Sequence, residues 1–214
     1  VLGHQSMLSF RLLECPSCKL VKMERALNEE QLTAYESDFY HLTAAQMDEK
    51  GDKKGLALFG QRSAMFRDFR VGKLLDYGCG RGYFLKVMRD LGWEVRGVEQ
   101  FEPLARHARQ EFHLAVEADV NALTANHSAF NLITLWHVLE HFTDPAKMLA
   151  SFHLLLAPGG VLYAEVPNID SIGASLAGAY WLPYHEPTHR WFFRPQTIER
   201  LALQAGFSSV KVQA

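Results

Sequence analysis

Cysteine is scarce in this sequence: Cys15, Cys18 and Cys79 are the three among 214 residues. That excludes a disulfide framework and points to a reducing, cytoplasmic setting. Long apolar runs are missing as well. The nearest candidate, Leu149 to Leu162, is broken by Pro158, Gly159 and Gly160, whereas a bilayer-spanning helix needs roughly 20 apolar residues. No membrane partner is expected. There is no surplus of positive charge either, the formal net charge being −2. With no basic excess to displace counterions from a phosphate backbone, nucleic acid is not the expected partner. Repeats and low-complexity tracts are also absent. What is present is 48% apolar residues, enough to bury one sizeable core.

Along the chain, residues 1 to 23 show short apolar runs without helical period and read as a small arm or broken ribbon. Asn28 and Gln31 form a capping pair for a helix over Glu29 to Tyr40, striped by Leu32, Tyr35 and Phe39. Thr43 to Gly55 is polar and charged and reads as a solvated link. From about Leu56 the pattern alternates. A helix runs through Phe59, Phe66 and Phe69, then strand Lys73 to Tyr77, helix Tyr83 to Leu91 and strand Val95 to Glu99. A helix from Pro103 toward Glu111 precedes strands near Leu114 to Glu117 and at Phe130 to Trp136. Helix Pro145 to Leu156, capped by Asp144, is stopped by Pro158-Gly159-Gly160, after which strand Val161 to Val166 begins. A loop rich in aromatics leads to a helix over Pro195 to Ala205 and a strand over Ser209 to Val212.

Strands alternating with helices of about ten residues imply an α/β fold, Rossmann-like and doubly wound. Its mostly parallel sheet is flanked by helices on both faces. The expected division is an N-terminal arm, 1–55, and a main domain, 56–214.

In such sheets ligands bind outside the carboxyl ends of the strands, where strand order reverses. The exit of the first strand reads Asp76-Tyr-Gly78-Cys79-Gly80-Arg-Gly82-Tyr83. Glycines permit a tight turn at positive φ and bare backbone against a ligand, and the helix that follows offers unpaired N–H groups. A dinucleotide fingerprint would place a small residue at position 83; Tyr83 departs from it. Glu99 ends the second strand, where a carboxylate can accept ribose hydroxyls. Asp119, beyond the third strand, can accept from an adenine amino group.

Taken in order, Asp76-x-Gly78-x-Gly80-x-Gly82, Glu99, Asp119, the strand Asn131 to Trp136 and the turn Leu156-Ala-Pro-Gly159-Gly160 resemble the successive motifs of class I S-adenosylmethionine-dependent methyltransferases. That resemblance spans about Leu56 to Ala214. It implies S-adenosylmethionine as cofactor and S-adenosylhomocysteine as product. By it, the backbone from Gly78 to Gly82 lies against the methionine part, Asp76 faces its amino group and Glu99 takes the ribose. Asp119 and Val120 edge the adenine, and His137 walls the methyl side. Cys79, Tyr83, Gln100 and Trp136 flank these positions and join the cofactor set, with Tyr40 as a lid. A seven-stranded sheet is implied, yet only the first of its two closing strands is legible. The sheet is therefore expected to be one strand short or cut, with an apolar edge that would support a homodimer.

Methyl transfer is an in-line displacement, so the protein chiefly aligns and desolvates a small-molecule acceptor, and a base is needed only if the acceptor must lose a proton. His141, His185 and His189 are the expected catalytic residues; they lie in segments dense with titratable groups and aromatics, His137 to His141 and Tyr180 to Arg194. Two other readings of the chain stay open, a nicotinamide-dependent oxidoreductase and a methyltransferase-like binding module without catalysis. His137-Val-Leu-Glu140-His141 also matches the H-x-x-E-H pattern of a zinc peptidase, which requires residues 137 to 141 within one helix. Some methyltransferases similar to this sequence hold a divalent ion with an acidic and histidine cluster at this bend, but His137 stands at the leading acidic position of that pattern, so no metal is expected. The alternative is structural zinc at Cys15 and Cys18, whose surroundings resemble the second half of a zinc ribbon that precedes some methyltransferase domains.

Overall fold

The computed structural model describes residues 10–25, 30, 31, 33–35, 37, 38, 49–119 and 129–213. In chain order its labelled elements are β1 (Phe10–Glu14), β2 (Val21–Arg25), α1 (Glu49–Arg62), β3 (Lys73–Tyr77), α2 (Tyr83–Asp90), β4 (Glu94–Val98) and α3 (Glu102–Phe112). There follow β5 (Val116–Glu117), β6 (Phe130–Trp136), α4 (Pro145–Leu155), β7 (Leu156–Glu165), α5 (Ile172–Ala177), β8 (Trp191–Phe192) and α6 (Pro195–Gln204). Residues 30, 31, 33–35, 37 and 38 are also helical. The chain divides into two compact units. One comprises Val1–Ser37, His137–Ala150 and Glu165–Ala214, the other Asp38–Trp136 and Ser151–Ala164.

The second unit carries the five-stranded sheet, ordered β5-β4-β3-β6-β7. β3 pairs in parallel with β4 on one side and β6 on the other, and β4 pairs in parallel with β5. Strand order therefore reverses at β3. The central strands are apolar because helices cover both faces: Leu74, Leu75, Leu132 and Ile133 are fully buried. Helix α2 sends Phe84, Leu85 and Met88 inward. It ends in a Schellman closure, Trp93 N–H to the Met88 carbonyl and Gly92 N–H to that of Arg89, with Gly92 at φ 96°.

The fold of the chain departs from expectation at three places. Strand β7 starts at Leu156, not Val161, and takes in Pro158-Gly159-Gly160. A Cβ on Gly160 would stand 2.8 Å from the Phe130 carbonyl oxygen, so glycine there serves a close backbone approach rather than a helix stop. Residues 207–213 form no strand; an extended run becomes one only when a partner accepts its hydrogen bonds, so Ser209 to Val212 is corrected to irregular chain. The expected link up to Gly55 is helical from Glu49 onward, and Asp52 within it pairs with Arg81 far along the chain.

The first unit has a three-stranded sheet, β1-β2-β8. β1 and β2 form an antiparallel hairpin, where only an arm or broken ribbon was expected, and β2 pairs with β8. Val21, Met23 and Phe192 are its buried core, with Phe10, Ile169, Trp181 and Tyr184 packed against it. The β2–β8 partnership joins segments from near the two ends of the sequence, which no local periodicity announces. Among the described residues no helix is long and apolar enough to cross a membrane.

Candidate active site

Gly78, Gly80 and Gly82 have φ values of 72°, 54° and 80°, a region that side chains with a Cβ rarely adopt. The turn between β3 and α2 is tied to β4 by Gly78 N–H and Cys79 N–H, both donating to the Val98 carbonyl at 2.7 and 3.0 Å. A Cβ on Gly82 would stand 2.6 Å from Leu114 Cδ1 and 2.8 Å from Ala108 Cβ, so only glycine lets the start of α2 settle there. Gly97 in β4 does the same for the turn: a Cβ would meet the Cys79 sulfur at 2.6 Å. The Cys79 side chain thus lies in the core, and burial pushes its thiol well above the ordinary range.

Two carboxylates face this turn. Asp76, next to last in β3, is almost fully buried and accepts a hydrogen bond from Thr134 Oγ1 at 2.7 Å. Burial, aided by the nearby Glu99 charge, pushes it up to about 8 against the opposing Thr134 bond, so it is poised to ionise when a cation pairs with it. Glu99, just past β4, accepts Gly80 N–H at 2.9 Å through Oε2 and Phe101 N–H at 2.8 Å through Oε1. Burial raises its pKa, and the backbone N–H groups oppose that shift. Gln100 and Asp119 gather with Glu99 around Tyr77, whose hydroxyl burial and the Asp119 charge push upward. Tyr77 belongs to this neighbourhood although nothing in the sequence singled it out.

Other expected residues of this unit are placed differently. Tyr83 turns its hydroxyl to Asp52 at 2.6 Å. Trp136 ends β6 inside an aromatic cluster with Phe59, Phe66, Phe84 and Tyr163, and the Arg62 guanidinium lies 4.8 Å from its ring centre. Val120 and Tyr40 lie outside the described residues.

With the reversal of strand order at β3, three glycines at positive φ, and acidic side chains near the end of β3 and following β4, the sheet has the form of a nucleoside-cofactor site. The family described as methyltransferase domain matches residues 45–212. The chain belongs to the class I S-adenosylmethionine-dependent methyltransferases. S-adenosylmethionine is that family's cofactor, which answers the nicotinamide alternative. The chain is 35% identical over 161 residues to the ubiquinone biosynthesis O-methyltransferase of Ruegeria pomeroyi, covering 67% of the present chain and 63% of the relative. It is 31% identical over 150 residues to the like-named protein of Cereibacter sphaeroides, covering 64% and 61%. The chain thus spans under two thirds of the length of these relatives. Its fold matches a crystal structure of an S-adenosylmethionine-dependent methyltransferase from Archaeoglobus fulgidus with TM-score 0.61 and 23% identity, over 73% of this chain and 71% of that one.

The first unit brings together Glu140, His141 and His189, whose ligand atoms all lie within 4.8 Å of one another. His137 joins at the edge, with Nδ1 3.5 Å from Glu140 Oε1 and Nε2 3.0 Å from Glu165 Oε1; the Glu140 carboxylate, against the cost of burial, raises its pKa. The three-residue turn Leu139–His141 is fixed by Arg190 N–H donating to the Glu140 carbonyl and Trp191 Nε1–H to that of Phe142. His189 Nδ1 donates to the Pro183 carbonyl at 3.0 Å, so in the neutral ring Nε2 carries the lone pair, 3.8 Å from Glu140 Oε1. Burial and the neighbouring His141 hold His189 down to about 4. Glu140 is fully buried, and among the described residues neither of its carboxylate oxygens accepts a well-formed hydrogen bond. These donors fit a divalent cation: two imidazoles and one carboxylate converge, and the buried carboxylate has no close hydrogen-bond donor among the described residues. His185 stands apart, donating Nε2–H to the Ala179 carbonyl at 2.9 Å. The peptidase reading fails because His137 sits at φ 56° and only residues 139–141 form a helical turn.

Cys15 and Cys18 lie in the turn of the β1–β2 hairpin, where Lys19 has φ 62°. The Ser17 hydroxyl, then the Cys18 backbone, lower the Cys15 thiol to about 6.

Proposed function

We propose that this protein transfers the methyl group of S-adenosylmethionine to an oxygen of a small-molecule acceptor, in a reducing cytoplasm. The methyl carbon leaves sulfur and joins oxygen, the hydroxyl proton departs, and S-adenosylhomocysteine is released. The observation that carries this reading is the glycine turn at positive φ with Glu99 held by its Gly80 N–H; the relatives' name supports oxygen as the acceptor atom. Residues 56–214 would form the cofactor-binding domain and 1–55 an arm bearing the lid residue Tyr40. Asp76 would pair with the methionine ammonium, Glu99 with the ribose, and Asp119 and Val120 with the adenine. His141, His185 and His189 are the acceptor-side residues. Calorimetry with S-adenosylhomocysteine and with NAD tests the cofactor assignment, tight binding of NAD alone being the result against it. Labelled methyl transfer to a panel of phenols, catechols and amines tests the acceptor, and labelling confined to amines would contradict oxygen.

The buried Glu140 carboxylate, with no close hydrogen-bond donor among the described residues, favours a second role for its cluster: Glu140, His141 and His189 would hold a divalent cation, which supplies Lewis acidity when bound. Titration of the chelator-treated protein with Mn2+ or Zn2+, read by calorimetry, is expected to give one site that Glu140→Gln abolishes. Equal binding by that variant would sink the idea.

A further inference from the structure

One acidic residue of α1 is tied to the glycine-rich turn. Asp52 Oδ1 accepts the Tyr83 hydroxyl at 2.6 Å and pairs with Arg81 Nη1 at 2.6 Å, while Oδ2 lies 3.4 Å from His107 Nε2 on α3. Arg81 also donates to the Tyr83 oxygen at 2.7 Å, and His107 Nδ1 stands 3.4 Å from the Arg81 carbonyl. Side chains from the turn, from α2 and from α3 therefore converge on one carboxylate of α1. Gly55 makes the approach feasible, since a Cβ there would stand 2.4 Å from the Tyr83 ring.

Exposed ion pairs contribute little, but this group is sheltered: the side chains of Arg81, His107 and Asp52 are 11%, 14% and 27% exposed. Loss of Asp52 would leave a mostly buried guanidinium facing a hydroxyl, and the cheapest relief is for Arg81 to turn outward. Arg81 sits between Gly80 and Gly82, whose left-handed backbone is free to follow it, and the Gly80 N–H is the group that orients Glu99.

We infer that Asp52 is a positioning residue for the cofactor: through Arg81 and Tyr83 it clamps the Gly80–Gly82 backbone in the form that receives S-adenosylmethionine, which makes α1 part of the cofactor site. The inference rests on the assignment of that turn to the cofactor.

Calorimetry with S-adenosylhomocysteine, alongside thermal unfolding, tests it on the wild-type chain and on Asp52→Ala and Asp52→Asn. Asp52→Ala is expected to weaken binding about tenfold to a hundredfold, the range for a lost hydrogen bond to a charged group. Asp52→Asn keeps an acceptor for Tyr83 but not the charge for Arg81, so about a threefold to tenfold loss is expected. Asp52→Glu should recover part of the affinity. If Asp52 merely fastens the helix, the variants will melt earlier yet bind like the wild type, and the inference is overturned. Should Asp52→Ala not fold, Asp52→Asn decides. A wild-type chain that binds no S-adenosylhomocysteine would instead refute the cofactor assignment.

Discussion

The glycine turn and the histidine cluster both place chemically capable groups on loops, yet they are constructed in opposite ways. At the turn the backbone makes the site: three left-handed glycines, N–H groups fixed on Val98 and Glu99, and side chains cleared from the path. At the cluster side chains make it, with Glu140 and His141 coming from one segment and His189 from a separate, later one. A site made of backbone tolerates few residue types at each position, whereas a site made of side chains depends on who arrives opposite.

The contrast is sharpest in ligand binding. Asp76→Ala is expected to weaken S-adenosylhomocysteine about a hundredfold by calorimetry, if Asp76 is, as proposed, the buried partner of the ammonium. His189→Ala should stay within about twofold; an equal loss in both would erase the distinction. Next in size is backbone strain. Gly82→Ala adds Cβ contacts under 3 Å to an unfavourable φ, and should cost about 3 kcal/mol by urea unfolding. Gly80→Ala meets no atom within 4 Å and should cost only about 1–2 kcal/mol. Equal costs would show that crowding at Leu114 and Ala108 is relieved by movement.

Acid should separate the two regions by sign. The folded Asp76 carboxyl is raised to about 8 from 3.8, so the native chain holds an extra proton between those values and its contribution to stability is lost as pH rises through them. His189 is lowered to about 4 from 6.5, so the unfolded chain holds the extra proton, and that contribution is lost as pH falls through the window. Melting temperatures across pH 4–8 should flatten above pH 6.5 in Asp76→Asn, whereas below pH 6.5, where the two opposite contributions offset one another in the wild type, His189→Gln should uncover a fall with rising pH. The smallest effect expected is from Thr134→Val, which removes the hydroxyl donor to Asp76: about 1 kcal/mol in stability, and a few-fold weaker cofactor binding.

The same contrast explains what could be read in the sequence. Strand Lys73–Tyr77 and strand Phe130–Trp136 were legible to the residue, since a strand buried on both faces is written as a continuous apolar run. The glycines and Asp76 were legible because their positions are dictated by their immediate neighbours. Asp52 was hidden in a charged stretch that reads as solvated, because its partners Arg81, Tyr83 and His107 come from elements far downstream. The β1–β2–β8 sheet was hidden for the same reason, as its third strand supplies only Trp191 and Phe192. Glu140 was visible as a candidate, but its burial without a close hydrogen-bond donor among the described residues became apparent only once Arg190 and Trp191 closed the turn around it.

Cys79 offers a consequence of a different sort. Its sulfur occupies the notch left by Gly97, beneath the loop that would grip the cofactor, whereas Cys15 and Cys18 sit partly open on a hairpin. An alkylating reagent should therefore modify the hairpin pair quickly and Cys79 only during rare excursions of the loop. Its slow labelling rate becomes a clock for loop opening, one that bound nucleoside should retard and that needs no knowledge of the acceptor.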